Sequence, residues 1–248
     1  MIINKATCLV NFHIFTLFPN IFTNTLNEGV TGRAISKGLI NLIVHNIRDY
    51  STSKHKKVDD YPFGGGPGML MKPEPVFQAV ETVKKQYSVP DGTPIILMTP
   101  QGKTFTHKIA LSFQSFKTIF IICGRYEGVD ERIRNYLATD EISIGDFVVS
   151  GGELPALNII DAIARLIPGV IGRSESAQND SFYNDLLQFP QYTRPANFRG
   201  IKVPEILLSG NHEKIKTWRE IQSLKKTSQN RPDLIIKKNI TRSNPLET

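Results

Sequence analysis

Short apolar runs rich in β-branched residues alternate, over the first two-thirds of the chain, with segments whose apolar residues recur at helical spacing. Such runs are typical of the buried strands of a parallel sheet. Strands are predicted at residues 11–18, 42–47, 94–99, 117–123 and 141–144. Helices are predicted at residues 20–27, 73–87, 106–113, 129–137 and 153–167. Residues 29–34 lead into a further short helix that is predicted to end near Gly38. This alternation predicts an α/β domain, and the residues alone favour an unknotted, doubly wound sheet.

Glycine-bearing loops follow three of the predicted strands, at residues 99–102, 124–128 and 144–152. Ligands of open α/β sheets bind outside the carboxyl ends of the strands, so the three loops are expected to meet at one edge. The third loop lies in the stretch SIGDFVVSGGELPA at 143–156, which predicts a strand, a glycine turn and a helix start. Such a loop offers peptide groups to a flat, neutral ligand such as an adenine. A tight turn that binds nothing fits the glycine spacing equally well.

A second glycine-rich stretch, YPFGGGPGM, occupies residues 61–69. It lacks the Gly-Lys-Ser/Thr ending that places a lysine on phosphates and a hydroxyl on magnesium, so a phosphate loop is weakly supported. A mobile loop that closes over a substrate fits better. An ordinary flexible loop fits the spacing as well.

Positive charge is concentrated in the last quarter of the chain. The net charge is +7, and residues 211–242 hold nine Lys or Arg against three Asp or Glu. A basic segment of this kind predicts a polyanionic partner, first nucleic acid and second a membrane surface, or else a solvated helical face. The polar stretch 168–189 predicts a linker, and helices are expected from Asn211 to about Lys226 and after Pro232. The predicted organisation is a domain at 1–169, a linker at 170–189 and a small, basic helical domain at 190–248.

Few features point to a membrane or to the secretory route. Apolar runs are too short to cross a bilayer, and residues 1–10 do not resemble a signal peptide. The two cysteines, Cys8 and Cys123, form neither a disulfide framework nor a metal-ligand pattern. A cytoplasmic protein without a membrane partner and without a bound metal is expected.

Several long motifs, in order from near residue 14 to beyond residue 230, resemble one family. They include LFP at 17–19, GVTGR at 29–33, VDD at 58–60, GGGPGMLM at 64–71, PQG at 100–102, GRYEGVDER at 124–132, the stretch at 143–156, IPGV at 167–170, DSF at 180–182, YTRP at 192–195 and LSGNH at 208–212. The chain resembles the bacterial tRNA (guanine-N1)-methyltransferases, the TrmD family of the SPOUT class.

The resemblance implies a fold and a reaction. The methyl donor would be S-adenosylmethionine, the acceptor tRNA, and the product 1-methylguanosine immediately 3′ of the anticodon. A deep trefoil knot is implied in the C-terminal part of the first domain, which residue patterns alone do not predict. The family also implies a homodimer whose active sites are shared between the subunits.

The resemblance also assigns roles to individual residues. The implied donor pocket contains Leu97, Thr99, Pro100, Gly124, Tyr126, Glu127, Ile144, Gly145, Asp146, Phe147, Val148, Val149 and Gly151. Asp180 matches the general base, and Arg165 matches the arginine beside the guanine O6. Glu127, Asp59, Gly65 and Gly66 match positions implicated in donor or guanine binding.

Each role has a structural alternative. Asp180 fits the N-cap of a helix at 182–187, and Arg165 fits the solvent face of an amphipathic helix. Glu127 fits a turn, while Tyr192 and Trp218 fit a core better than a base-stacking surface. Two other functions also remain open, a nucleotide-phosphate enzyme that uses the loop at 64–68 and a non-catalytic RNA-binding protein.

Overall fold

Two compact units, residues 1–172 and 173–248, make up the chain. The computed structural model describes residues 10–25, 28–171 and 180–236. The expectations for residues 1–9, for residues 172–179 of the linker and for residues 237–248 lie outside this description.

A five-stranded sheet forms the centre of the first unit, in the order β2-β1-β6-β5-β7, with every neighbouring pair parallel. Its strands, with two short ones outside the sheet, are β1 (Val10–Thr16), β2 (Ile40–Asn46), β3 (Asp59–Asp60), β4 (Leu70–Met71), β5 (Ile95–Thr104), β6 (Thr118–Cys123) and β7 (Asp140–Ser143). The predicted α/β architecture with a largely parallel sheet is confirmed.

In the described part of the first unit, six α-helices pack against the sheet or join its strands, and a short 3₁₀ helix follows β2 at Ile47–Tyr50. The α-helices are α1 (Asn20–Thr25), α2 (Gly29–Ser36), α3 (Pro73–Gln86), α4 (His107–Phe113), α5 (Glu131–Tyr136) and α6 (Glu153–Ala164). Successive side chains of β1 point to opposite faces of the sheet, as in any strand. Phe12 and Ile14 accordingly join the core that contains α6, whereas Phe15 joins the core that contains α3. Apolar helices therefore cover both faces, as the near-continuous apolar strands require.

The loop predicted at residues 99–102 is instead part of β5, as a bulge. Met98 and Lys103 both pair with Ile142 of β7, so the residues between them are extra in the register. A Cβ on Gly102 would lie 2.4 Å from the carbonyl carbon of Glu141. Glycine lets the bulge lie against β7, and the strand therefore continues where the Pro-Gln-Gly sequence suggested its end.

The second unit is built from short elements and one long helix. The elements are β8 (Asn197–Phe198), β9 (Ile201–Lys202), α7 (Glu205–Leu208) and α8 (His212–Asn230), and residues 232–236 are also helical. Asn211 caps α8, since its side chain accepts a hydrogen bond from the Lys214 N–H at 3.0 Å.

Residues 180–189, part of the stretch predicted to be a linker, contact α8 within the second unit. The Leu187 N–H donates to Thr227 Oγ1 at 2.9 Å, and Ser223 Oγ donates to the Leu187 carbonyl at 2.5 Å. Thr227 is fully buried by this contact. This segment therefore packs against α8 despite its polar composition.

Two histidines form a neutral pair on β1 and β2. His13 Nδ1 and His45 Nε2 lie 3.0 Å apart, and the Tyr50 hydroxyl lies 3.3 Å from His45 Nδ1. Burial lowers the pKa of His13 from 6.5 to about 4, and the nearby His45 ring adds to this decrease. Burial likewise lowers the pKa of His45 to about 4.

The pair predicts a loss of stability in mild acid. Between pH 6.5 and pH 4 the two histidines bind protons in the unfolded chain but not in the folded protein. The free energy of unfolding therefore falls as the pH falls through this window. Shifts of this size in both rings correspond to about 5 kcal/mol between pH 7 and pH 4.5, and since His45 is only partly buried we expect solvent screening to reduce the measured drop in the free energy of unfolding to about 3 kcal/mol. Urea titrations at several pH values measure the drop. The variant His45→Gln should keep about half of it, and an unchanged pH dependence in that variant would contradict the assignment.

Candidate active site

A cavity of about 210 Å³ opens beside the bulge of β5, the carboxyl ends of β6 and β7 and the first turn of α6. The three predicted glycine-bearing segments therefore meet at one edge of the sheet. The lining residues are Leu97, Met98, Thr99, Pro100, Gly124, Arg125, Tyr126, Glu127, Gly128, Val129, Ile142, Ser143, Ile144, Phe147, Val148, Val149, Ser150, Gly151, Gly152 and Pro155.

Most residues that the resemblance assigns to a donor pocket line this cavity. The ones that do are Leu97, Thr99, Pro100, Gly124, Tyr126, Glu127, Ile144, Phe147, Val148, Val149 and Gly151. Gly145 and Asp146 are not among the lining residues. Gly145 has a φ of 143°, and the Phe147 ring packs 2.8 Å from the position of a Cβ there. The turn thus directs Phe147, rather than its two predecessors, to the cavity.

Met98, Arg125, Ser150 and Gly152 also line the cavity, although the resemblance did not assign them to the donor pocket. Arg125, Ser150 and Gly152 lie within the predicted ligand-binding loops at 124–128 and 144–152, whereas Met98 lies in the strand before the first loop and had no signal of its own. Position 152 requires glycine because the backbone there lies against that of residues 123 and 124. The Gly152 N–H donates to the Gly124 carbonyl at 2.9 Å, and a Cβ on Gly152 would lie 2.7 Å from Cys123 Cα. The carboxyl end of β6 and the start of α6 are joined here.

A buried ion pair joins Arg125, which lines the cavity, to Glu153 on α6. Arg125 Nε donates to Glu153 Oε2 at 2.8 Å, and Thr16 Oγ1 donates to Glu153 Oε1 at 2.7 Å. Glu153 is only 1% exposed and stands in the first turn of α6, where the helix dipole favours a negative charge. Arg125 Nη1 also donates to the Ser150 carbonyl at 3.0 Å, so one side chain connects the loop at 144–152 to the helix.

Cys123 lies beside this network and is fully buried. Burial raises the pKa of its thiol, and the Glu153 charge raises it further, while Arg125 opposes them. The thiol is therefore protonated at neutral pH and does not act as a nucleophile.

The second glycine-rich loop is joined to the cavity. The Met71 N–H donates to the Gly128 carbonyl and the Glu127 N–H to the Met69 carbonyl, each at 3.0 Å. Asp59 pairs with Met71 in the β3–β4 ladder. A Cβ on Gly68 would lie 2.4 Å from Glu127 Cγ. Contacts therefore connect Asp59, the loop at residues 61–69 and Glu127, which lines the cavity.

Gly65 and Gly66 lie at the exposed tip of this loop, where positive φ values of 80° and 118° favour glycine. Nothing lies within 4 Å of a Cβ placed on either of them. They do not line the cavity, and their predicted role in substrate binding stays a prediction.

Arg165 and Asp180 do not line this cavity. Arg165 is the C-cap of α6, not a residue within a helix that runs to 167, and the cavity is at the other end of α6. With a rise of about 1.5 Å per residue, ten residues separate Pro155 from Arg165 by about 15 Å. Asp180 lines a different cavity, in the second unit.

The predicted helix at 182–187 is wrong. Residues 181–186 form turns, with the Phe182 N–H donating to the Leu186 carbonyl at 2.7 Å and φ values of 76° at Phe182 and 59° at Asp185. These backbone angles are incompatible with a right-handed helix. The interpretation of Asp180 as the cap of that helix therefore fails.

Two further findings concern metal binding and phosphate binding. Within residues 10–25, 28–171 and 180–236, no group of three or more His, Cys, Asp or Glu is arranged to hold a metal ion. Lys72, the basic residue after the second glycine-rich loop, pairs with Glu74 at 3.8 Å.

Of the helices that the structure describes, none combines the length and the apolar character needed to cross a bilayer.

Comparison with known proteins gives a consistent result. A family described as tRNA (Guanine-1)-methyltransferase TrmD matches residues 10–237. A relative from Staphylococcus epidermidis, named tRNA (guanine-N(1)-)-methyltransferase, is 55% identical over 220 residues, which cover 89% of this chain and 88% of the relative. A relative of the same name from Clostridioides difficile is 49% identical over 230 residues, which cover 93% and 99% of the two chains. The family predicted from the motifs is confirmed, and the chain belongs to the TrmD family of tRNA (guanine-N1)-methyltransferases.

Proposed function

We propose that this chain is a tRNA methyltransferase that transfers a methyl group from S-adenosylmethionine to N1 of the guanosine immediately 3′ of the anticodon. Its family and the names of its relatives support the reaction class. The observation that supports the proposal most strongly is the cavity beside the bulge of β5 and the carboxyl ends of β6 and β7, the edge where open α/β sheets bind their ligands.

The cavity lining fits a nucleoside-type donor. The segment 144–152 and Gly124 bring backbone to the cavity wall, which suits the edge of an adenine, and Leu97 and Val148 supply apolar contact. S-adenosylmethionine supplies a methyl group on a positively charged sulfur, so the protein needs no covalent intermediate. This agrees with the protonated, buried thiol of Cys123.

The guanine N1 carries a proton and is a poor nucleophile until that proton leaves. We assign its removal to the carboxylate of Asp180, which has to lie at hydrogen-bonding distance from N1. We assign to the guanidinium of Arg165 the stabilisation of the negative charge that develops on O6. Alignment of the methyl group with N1 supplies the rest of the acceleration.

Arg165 is at the opposite end of α6 and does not line the donor cavity of its own chain. We therefore propose a homodimer in which a second copy of the chain completes each site. The SPOUT trefoil knot and a cytoplasmic location are part of the same proposal, and both rest on the family alone.

Methyl transfer to two tRNA transcripts tests the function. The transcripts are unmodified and differ only in carrying G or A immediately 3′ of the anticodon. We expect labelled methyl to appear in the G transcript alone, because adenine has neither an N1–H to donate to the Asp180 carboxylate nor an O6 to accept from Arg165, so its N1 is not positioned for transfer. Donor binding without transfer to either transcript would contradict the proposal. Tight binding of tRNA without donor binding would instead favour a non-catalytic RNA-binding protein.

A further inference from the structure

The second unit contains a cavity of its own, of about 930 Å³. Its walls come from the segment 188–196 and from α7 and α8, together with Asp180. The volume lies near the upper end of the range typical of ligand sites. None of the roles assigned so far uses this cavity, apart from that of Asp180.

The lining combines two arginines with an aromatic ring. Arg194 is exposed, and Tyr192, which the sequence favoured as a core residue, is 49% exposed. The guanidinium carbon of Arg219 on α8 lies 4.8 Å from the centroid of the Phe189 ring. This contact orients the guanidinium while leaving its N–H groups available to an acceptor.

Such a lining matches the chemistry of an unstacked nucleotide. Arginine forks bind phosphate oxygens with two parallel hydrogen bonds. Proteins that recognise single-stranded RNA loops stack splayed bases on aromatic side chains. Exposed lysines elsewhere on α8, Lys214, Lys216, Lys225 and Lys226, give this helix further positive charge.

We propose that this cavity receives an unstacked tRNA nucleotide next to the acceptor guanosine, with its phosphate on Arg194 and Arg219 and its base against Tyr192. The inference rests on the proposed function, because Asp180 lines the same cavity. A guanosine whose N1 reaches Asp180 brings its neighbours in the anticodon loop to the same wall.

Equilibrium binding of unmodified tRNA at several salt concentrations tests the arginines. The variants are Arg194→Gln and Arg219→Gln, with Lys85→Gln as the control that removes one exposed positive charge from α3 of the first unit. We expect each arginine variant to weaken tRNA binding about tenfold near physiological salt. The slope of log affinity against log salt should become shallower by about 0.7 for each lost phosphate contact. The control should match the wild type in both quantities.

Tyr192 is tested by Tyr192→Ala and Tyr192→Phe. The alanine variant should raise the KM for tRNA about tenfold with an unchanged salt slope, and the phenylalanine variant should restore it because the ring is kept. Affinity for S-adenosylmethionine should not change in any of these variants. Melting curves identify a variant that fails to fold, and the exposed Arg194 still tests the site if Arg219→Gln proves unstable.

Two failures are distinguishable. If the wild type methylates the G transcript but the arginine variants bind tRNA like Lys85→Gln, with the same salt slope, the cavity proposal is overturned and the proposed function stands. If the wild type transfers no methyl group, the proposed function itself fails.

Discussion

Replacing Asp180 by asparagine is expected to slow methyl transfer to the G transcript by at least about 100-fold in single-turnover experiments. Asparagine keeps the size and polarity of the side chain but cannot accept the N1 proton. Affinity for S-adenosylmethionine should stay at the wild-type value, since Asp180 does not line the donor cavity. The measurement is a rapid-quench time course with saturating enzyme and donor.

Asp185→Asn is the matched control for this experiment. Asp185 is an exposed carboxylate in the same set of turns, and its φ of 59° is one that asparagine tolerates well. We expect this variant to react at the wild-type rate. A rate for Asp180→Asn equal to that of the control would remove Asp180 from the chemistry.

Replacing Arg125 by methionine is expected to lower the free energy of unfolding by about 3 kcal/mol, because a buried charge loses its partner. Glu153 would keep only the Thr16 hydroxyl among the contacts that now hold it. Methionine fills much of the volume of the arginine stem, so loss of charge and hydrogen bonds dominates the effect. Urea unfolding monitored by circular dichroism measures the change.

Arg125→Met should also weaken S-adenosylmethionine binding, by about tenfold or more, since the Ser150 carbonyl loses the guanidinium that holds the loop. Adding Glu153→Gln to the variant should recover stability by removing the unpaired charge, without recovering donor affinity. Arg132→Gln is the control, because its pair with Asp130 is exposed on the arginine side and such pairs contribute little to stability. If Arg125→Met is no more destabilising than this control, the buried pair does not have the role described here.

The parts of the fold that sequence patterns predicted well are those set by local periodicity. β6 and α3 are long apolar or amphipathic segments with clear ends, and their predicted bounds agree with the structure within a residue. The bulge in β5 was missed because it depends on β7, about forty residues later, against which Gly102 lies. A Pro-Gln-Gly sequence by itself favours a turn.

The candidate site shows the same division between local and distant information. Glycine spacing at 124–128 and 144–152 indicated which segments meet at the sheet edge, and the family motifs supplied the individual residues. The Thr16–Glu153 hydrogen bond joins residues 137 positions apart, and no periodic pattern links them. The turns at 181–186 depend on packing against α8, so their composition alone favoured a helix cap for Asp180.

The most direct test of the proposed reaction is the identity and position of the methylated nucleoside. tRNA methylated by the wild-type protein is digested to nucleosides for chromatography and mass spectrometry, and a second portion is copied by reverse transcriptase. We predict 1-methylguanosine as the only new nucleoside and a stop at the position 3′ of the anticodon, because a methyl group on N1 blocks Watson–Crick pairing. Methylation of another guanine atom would contradict the assignment of Asp180 as the base that removes the N1 proton, and a stop at another position would contradict the proposed acceptor guanosine.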